Sequence, residues 1–235
     1  MPDLVTRALA EVSELGPYFA ISTDPAQEAD PTWRRLDALG AEDLKLLIAA
    51  YAHRLGGVED RVAASILFQG LASRLWSPVI ACAAGYGVVP GLTGLHWRWA
   101  PGAPIALWLA DPAGVAASDP VTVHSAVVDG QLRPLREAFG AAVKLADGLL
   151  WGNAASALVG TLWAGSLRSE LAEPITGLVG SLLTMEPLTG AGYFTAGPSG
   201  GVVQPDAFVR RSCCLYYRVP PGGGMCGDCA LLHHP

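Results

Sequence analysis

Arg211–Cys229 reads RSCCLYYRVPPGGGMCGDC. The reading of this stretch decides whether the chain ends in an ordinary tail or in a segment organised around a metal. It carries four of the five cysteines: Cys213 and Cys214 as an adjacent pair, the intervening Leu215–Met225, then Cys226 and Cys229 as a C-x2-C pair. Thiols this close along the chain can converge on one small inorganic centre, and soft thiolates favour iron–sulfur or zinc. In Cys226-Gly227-Asp228-Cys229 a short turn faces two sulfurs to one metal, with backbone amides free to donate to them. The preceding Gly222–Gly224 permits unusual backbone angles and leaves room at the backbone. Adjacent residues point their side chains apart, so Cys213 and Cys214 fit poorly on one tetrahedral zinc. A 2Fe–2S cluster takes four thiolates and leaves none over. The spacing does not say which cysteine takes which iron.

Zinc remains the rival centre, although four-cysteine zinc sites pair two knuckles and one is present here. A thioredoxin-like dithiol at Cys226 and Cys229 lacks the usual strand-to-helix context and leaves Cys213-Cys214 unexplained. His233 and His234 suggest a Rieske-type centre, but its histidines are not normally neighbours, so these two read as tail. Cys82, in an apolar helical run, reads as a small buried hydrophobe.

Working outward, the rest of the chain is mostly helical. Residues 3–15 form an amphipathic pattern around Leu4, Leu9, Val12 and Leu15; residues 41–55 begin with Glu42 and Asp43 after Gly40. A long helix is expected over Glu59–Ala84, kinked near Ser77-Pro78. Residues 88–133 read as a small antiparallel sheet or set of hairpins, built from HWRWA, PIALWL and Val121–Val128, with turns at Pro101-Gly102 and Asp129-Gly130. Further helices are expected over 134–147, 149–166 and 172–185, with Pro174 in a first turn. Gly190–Ser199 reads as a loop. The fold class is therefore α+β, predominantly helical, with a small central antiparallel sheet and a C-terminal cluster segment. Residues 1–207 form the body and 208–235 the cluster-binding segment, expected to lie over the centre as a cap.

The chain has 235 residues, 51% hydrophobic and 15% charged, with net charge −6. That is a folded composition, and it argues against nucleic-acid or anionic-membrane partners. Mean hydropathy is +0.35. The uncharged Gly148–Leu167 is just long enough to span a bilayer, but Asn153, its glycines and the following Arg168 and Glu170 favour a buried core helix. The first residues carry no signal-peptide pattern, so a cytoplasmic protein is expected, where clustered cysteines are metal ligands rather than disulfides. Two glycine motifs match by letters only. Gly222–Gly227 has no βαβ unit after it, and Gly197–Gly201, around Ser199, has no strand before it.

RSCCLYYRVPPGGGMCGDC, with its short tail, resembles the C-terminal signature of the FhuF-like ferric-siderophore reductases, and Trp151-Gly152-Asn153-Ala154-Ala155 is similar to that family's W-x-N-x-A element. The resemblance implies a 2Fe–2S cluster on Cys213, Cys214, Cys226 and Cys229. It also implies one-electron reduction of iron(III) held by a siderophore, usually a hydroxamate, with release of iron(II). Independently, iron(III) is a hard cation and iron(II) binds hard oxygen ligands far more weakly, so one electron labilises the complex. With no nucleotide-binding unit in the sequence, electrons are expected from an external ferredoxin, flavoprotein or reduced flavin. Arg210, Arg211 and Arg218 lie near the ligands as candidates to tune the potential or dock a partner. Arg211, Trp97 and Trp99 are the candidate substrate residues. His53, His96 and His124 are isolated and read as structural. The net charge mildly favours a neutral or cationic chelate over an anionic one. The alternative function is a siderophore-binding or electron-carrier protein without reductase turnover.

Overall fold

The chain is organised around one helix that is apolar on every side and therefore must be surrounded on every side. The computed structural model describes residues 2–100, 103–197, 199–220 and 224–232. Helices α1 (Pro2–Ser13) and α2 (Ala41–Arg54) precede this central helix, α3 (Asp60–Tyr86). Trp76, Phe68, Leu71 and Leu75 of α3 are fully buried, each large apolar side chain contributing about 1.5–3 kcal/mol. Gly87 ends the helix in the left-handed region, its amide closing on the carbonyls of Ala83 and Cys82. Pro78 sits inside α3. Among the described residues α3 is the one helix long and apolar enough to cross a membrane, and 78% of its apolar window is buried inside the protein. The Gly148–Leu167 stretch divides instead between α6 (Asp147–Gly160) and α7 (Trp163–Leu167), with α6 buried against α3 as a core helix.

Among the described residues the extended segments form three small antiparallel sheets. Strands β1 (Arg34–Arg35), β3 (Leu95–Arg98) and β4 (Ala106–Leu109) pair in the order β1-β3-β4, with Trp97 opposite both Arg34 and Leu107. Strand β2 (Val88–Pro90) pairs with β5 (Gly114–Ala116), and β6 (Gly192–Phe194) with β7 (Phe208–Arg210). The turn expected at Pro101-Gly102 lies outside the described residues.

Two expectations fail here. Val121–Val128 is helical, not a strand. It lies in α4 (Pro120–His124) and the π-helical turn Ser125–Leu132 that continues into α5 (Arg133–Ala142), and Asp129-Gly130 lies within that turn. The Asp119 carboxylate accepts from the Thr122 amide at 2.9 Å and caps the start, where Pro120 presets the backbone. Val123, Val127 and Val128 then fall on one buried face, while Val121 is exposed. Burial and the cap override the β preference of the valines. The Gly190–Ser199 loop also contains strand β6, whose three residues are too short for a period-two pattern to register. Helix α8 (Ala172–Leu182) holds Pro174 in its first turn.

Candidate metal centre

The two halves of the cysteine motif are fixed by different elements and meet at one place. Strand β7 pairs with β6, and beyond it the Arg211 amide donates to the Ala191 carbonyl at 2.9 Å. The next residues reach the core, where Ser65 Oγ of α3 donates to the Cys214 carbonyl at 2.7 Å. The C-x2-C turn is held from the other side. The Arg210 amide donates to the Asp228 carbonyl at 3.1 Å, and the Cys229 amide closes on the Cys226 carbonyl at 3.1 Å. Cys214 and Cys229 are buried, Cys213 and Cys226 half-buried. Leu215 is the one described non-glycine residue with positive φ, +67°. This turn directs its amide to Cys213 Sγ at 3.4 Å, a donor to sulfur of the kind that tunes metal–thiolate sites.

Arg210 organises the centre. It is 1% exposed, so its charge requires compensation. Its Nη2 donates to Cys226 Sγ at 2.7 Å and to Asp228 Oδ1 at 3.0 Å, and its Nη1 to Asn153 Oδ1 at 2.8 Å. Its Nε lies 2.8 Å from Asp228 Oδ2, close as an ion pair but not aligned as a hydrogen bond. Asn153 Nδ2 donates to the carbonyl and Oγ of Ser65, both at 2.9 Å. A continuous buried chain therefore runs Cys214–Ser65–Asn153–Arg210–Cys226, joining both halves of the motif through α3 and α6.

The electrostatics favour a thiolate at Cys214. The hydrogen bond from Cys226, aided by the charge of Arg210 and opposed by burial, lowers Cys214 to about 5. Cys226, the partner that keeps the proton, is pushed up by the same hydrogen bond and by burial. Burial raises Cys213, which also feels the charges of Cys214 and Cys229. Cys82 lies at 0% exposure within α3, pushed up to about 12 by burial alone, and belongs to the core.

The donor set fits a thiolate-held iron centre. Cys214 Sγ and Cys226 Sγ are 3.5 Å apart, close to the separation of roughly 3.7 Å that two sulfurs adopt on one tetrahedral metal with bonds of about 2.3 Å. The buried Arg210 cation faces a site where thiolates concentrate negative charge. Among the described residues, no three His, Cys, Asp or Glu side chains close on a single ion; Cys214 and Cys226 are the pair of sulfurs in contact.

Beside these sulfurs opens a cavity of about 590 Å³, lined by Cys214, Cys226 and Tyr216 together with Tyr18, Tyr51, Arg54 and Arg74. The sequence-predicted substrate residues stand elsewhere. Trp97 and Trp99 line a separate groove beside Arg34, Asp43 and Leu47, although the Trp99 ring stands 6.1 Å from that of Tyr51. Arg211 lies over the Tyr193 ring at 5.5 Å, and Arg218 pairs with Glu59 at 2.9 Å. His96 packs on Trp108, and His124 Nε2 lies 2.8 Å from the Glu186 carbonyl oxygen. His53 is exposed, and His233 and His234 lie outside the described residues. Ser199 forms a small turn with Val202. Ser65, Asp228 and the cavity residues other than Cys214 and Cys226 escaped the sequence reading. Asn153 had two signals, an amide in an otherwise apolar helix and its place in the Trp151-Gly152-Asn153-Ala154-Ala155 element.

Residues 210–231 match the family model for the FhuF 2Fe-2S C-terminal domain. No curated protein matches the chain. The match supports an FhuF-like assignment and identifies the cofactor of this segment as a 2Fe–2S cluster.

Proposed function

We propose that this FhuF-like chain is a cytoplasmic ferric-siderophore reductase, acting on hydroxamate-type chelates, in which Cys213, Cys214, Cys226 and Cys229 hold the cluster. Residues 208–235 serve as its binding segment on the body formed by 1–207. The observation that carries this reading is the opening of the cavity directly onto Cys214 and Cys226. When bound, the cluster supplies a one-electron relay from an external ferredoxin or flavoprotein to chelated iron(III), which leaves as iron(II).

The chain's own residues do the rest. Ser65 and Asn153 hold the main chain at Cys214, and Arg210 holds the C-x2-C turn through Asp228 and donates to Cys226. A positive charge and a hydrogen bond at a ligating sulfur favour the reduced, more negative state. Burial of Cys214 and Cys229 keeps water from the sulfurs on the body side, while half-buried Cys226 faces the cavity. A chelate seated there lies beside a ligand sulfur, so the chain needs no acid or base to reduce it.

The test mixes dithionite-reduced holoprotein with a ferric tris-hydroxamate under nitrogen. Cluster reoxidation at the rate at which ferrous iron is trapped by a chromogenic chelator supports the reductase. Reoxidation by protein partners alone would reassign the chain as an electron carrier.

A further inference from the structure

Arg74 is 7% exposed, and among the described residues it has no carboxylate partner. Its Nε donates to the Ile105 carbonyl at 2.7 Å, and its guanidinium lies 4.5 Å from the centre of the Tyr18 ring. Its two terminal nitrogens have no protein acceptor among the described residues. These nitrogens keep some access to water, and a largely buried guanidinium with no counter-ion is a ready partner for an anionic ligand. It lines the cavity that reaches Cys214 and Cys226.

Three more donors gather around it. Arg54, exposed and also without an acid partner among the described residues, stands 5.8 Å from the Tyr51 ring. The Tyr51 phenol is half-buried, and the charges of both Arg54 and Arg74 act on it, as does Tyr18. Two cations and two phenols therefore converge on one wall, and none of the described residues lining the cavity is Asp or Glu. In a chain of net charge −6, this is a local reversal of sign.

We propose that Arg54, Arg74, Tyr51 and Tyr18 form a binding site for the anionic oxygens of the chelate. The cavity thereby selects ferric chelates that carry a free carboxylate or a net negative charge over neutral ones of equal size. This rests on the reductase reading and refines its substrate class. The arginines hold the anionic rim of the ligand while the rest of it extends toward Cys214 and Cys226. The volume of about 590 Å³ suits one ligand of a few hundred daltons. Guanidinium–carboxylate pairs are among the strongest polar contacts, and partial burial here limits screening by water and salt.

Gallium(III) complexes separate binding from reduction, because gallium(III) accepts no electron from the cluster. Holoprotein is titrated, with fluorescence or calorimetric detection, with two probes: the gallium complex of a neutral tris-hydroxamate and that of a citrate-centred dihydroxamate, which is anionic at pH 7. The anionic complex should bind tighter by about tenfold or more, the effect of one well-formed charged contact. Arg54→Gln and Arg74→Gln should each remove most of that preference with the visible spectrum of the cluster intact, and exposed Arg61→Gln should leave it in place. Arg54 is exposed, so its variant reports even where the Arg74 variant folds poorly. Equal affinity for the two probes, or a preference untouched by Arg54→Gln, overturns the assignment. Should ferric chelates fail to reoxidise the reduced protein while the arginine-dependent gallium preference persists, the reductase reading falls and the anion site stands. Should reduction proceed with no dependence on chelate charge, the reverse holds.

Discussion

At the scale of single residues, chemistry at the centre is set less by the thiols than by what surrounds them. Five cysteines of one type divide into two populations because their environments differ. Cys82 is enclosed by α3 and its neighbours, and burial holds it as a neutral thiol up to about pH 12. The other four sit at the meeting of a strand end, a tight turn and a buried cation. Cys226→Ser should bleach or strongly weaken visible absorption, whereas Cys82→Ser should leave it unchanged; an unaltered spectrum in the first variant removes that ligand. Arg210 couples structure to electronics. Arg210→Gln should shift the cluster's reduction potential to a more negative value in an EPR-monitored titration, since a positive charge and a donor to sulfur are lost together. The same change strands Asp228, at 15% side-chain exposure, and should lower stability by about 3–5 kcal/mol in denaturant titrations. Asn153→Ala, which leaves Arg210 and Ser65 each short of a partner, should cost about 1–3 kcal/mol.

Among the elements, the hairpin of β6 and β7 governs the delivery of the cysteines. Gly192 faces Arg210 across the pair, and a Cβ there would stand 2.6 Å from the Val209 carbonyl oxygen and 2.3 Å from the Phe208 ring. Backbone cannot withdraw from such a clash without opening the ladder. Gly192→Ala is therefore expected to shift Arg210 and reduce iron content per chain severalfold, while far-UV circular dichroism of the helices stays near wild type. Full iron loading of this variant would mean that the hairpin does not position the site. The π-helical turn between α4 and α5 teaches a related lesson. A valine-rich segment became helical because an aspartate cap started it and one face of it could be buried, two influences that intrinsic propensity does not include.

For the whole molecule, two centres of organisation coexist. The apolar core around α3 includes Cys82, Phe208 and Leu215 and does not depend on metal for its burial. The cysteine segment leans on that core through Ser65 and Asn153. Removing iron with a chelator under reducing conditions should lower Tm, because the native state loses a ligand that the unfolded chain does not bind as a formed site. Helical content at 25 °C should stay close to that of the holoprotein, and wholesale loss of helix on chelation would show that the body cannot stand alone. The distribution of charge also belongs to this scale: an acidic molecule encloses a cavity whose wall is cationic, so the net charge of −6 misleads about the local potential. The sequence by itself determined the thiol motif, the helix-dominated class and most helix positions, because spacing of thiols and periodicity of apolar residues are local properties written in consecutive residues; the nature of the cofactor came from the likeness of residues 210–231 to a known cluster-binding segment. Only the tertiary structure decided that Ser65, Asn153, Arg210 and Asp228 form one buried chain, and that Arg54 and Arg74 share a cavity with Cys214 and Cys226. Those residues are separated by up to 174 positions, from Arg54 to Asp228, and packing around α3 brings them together.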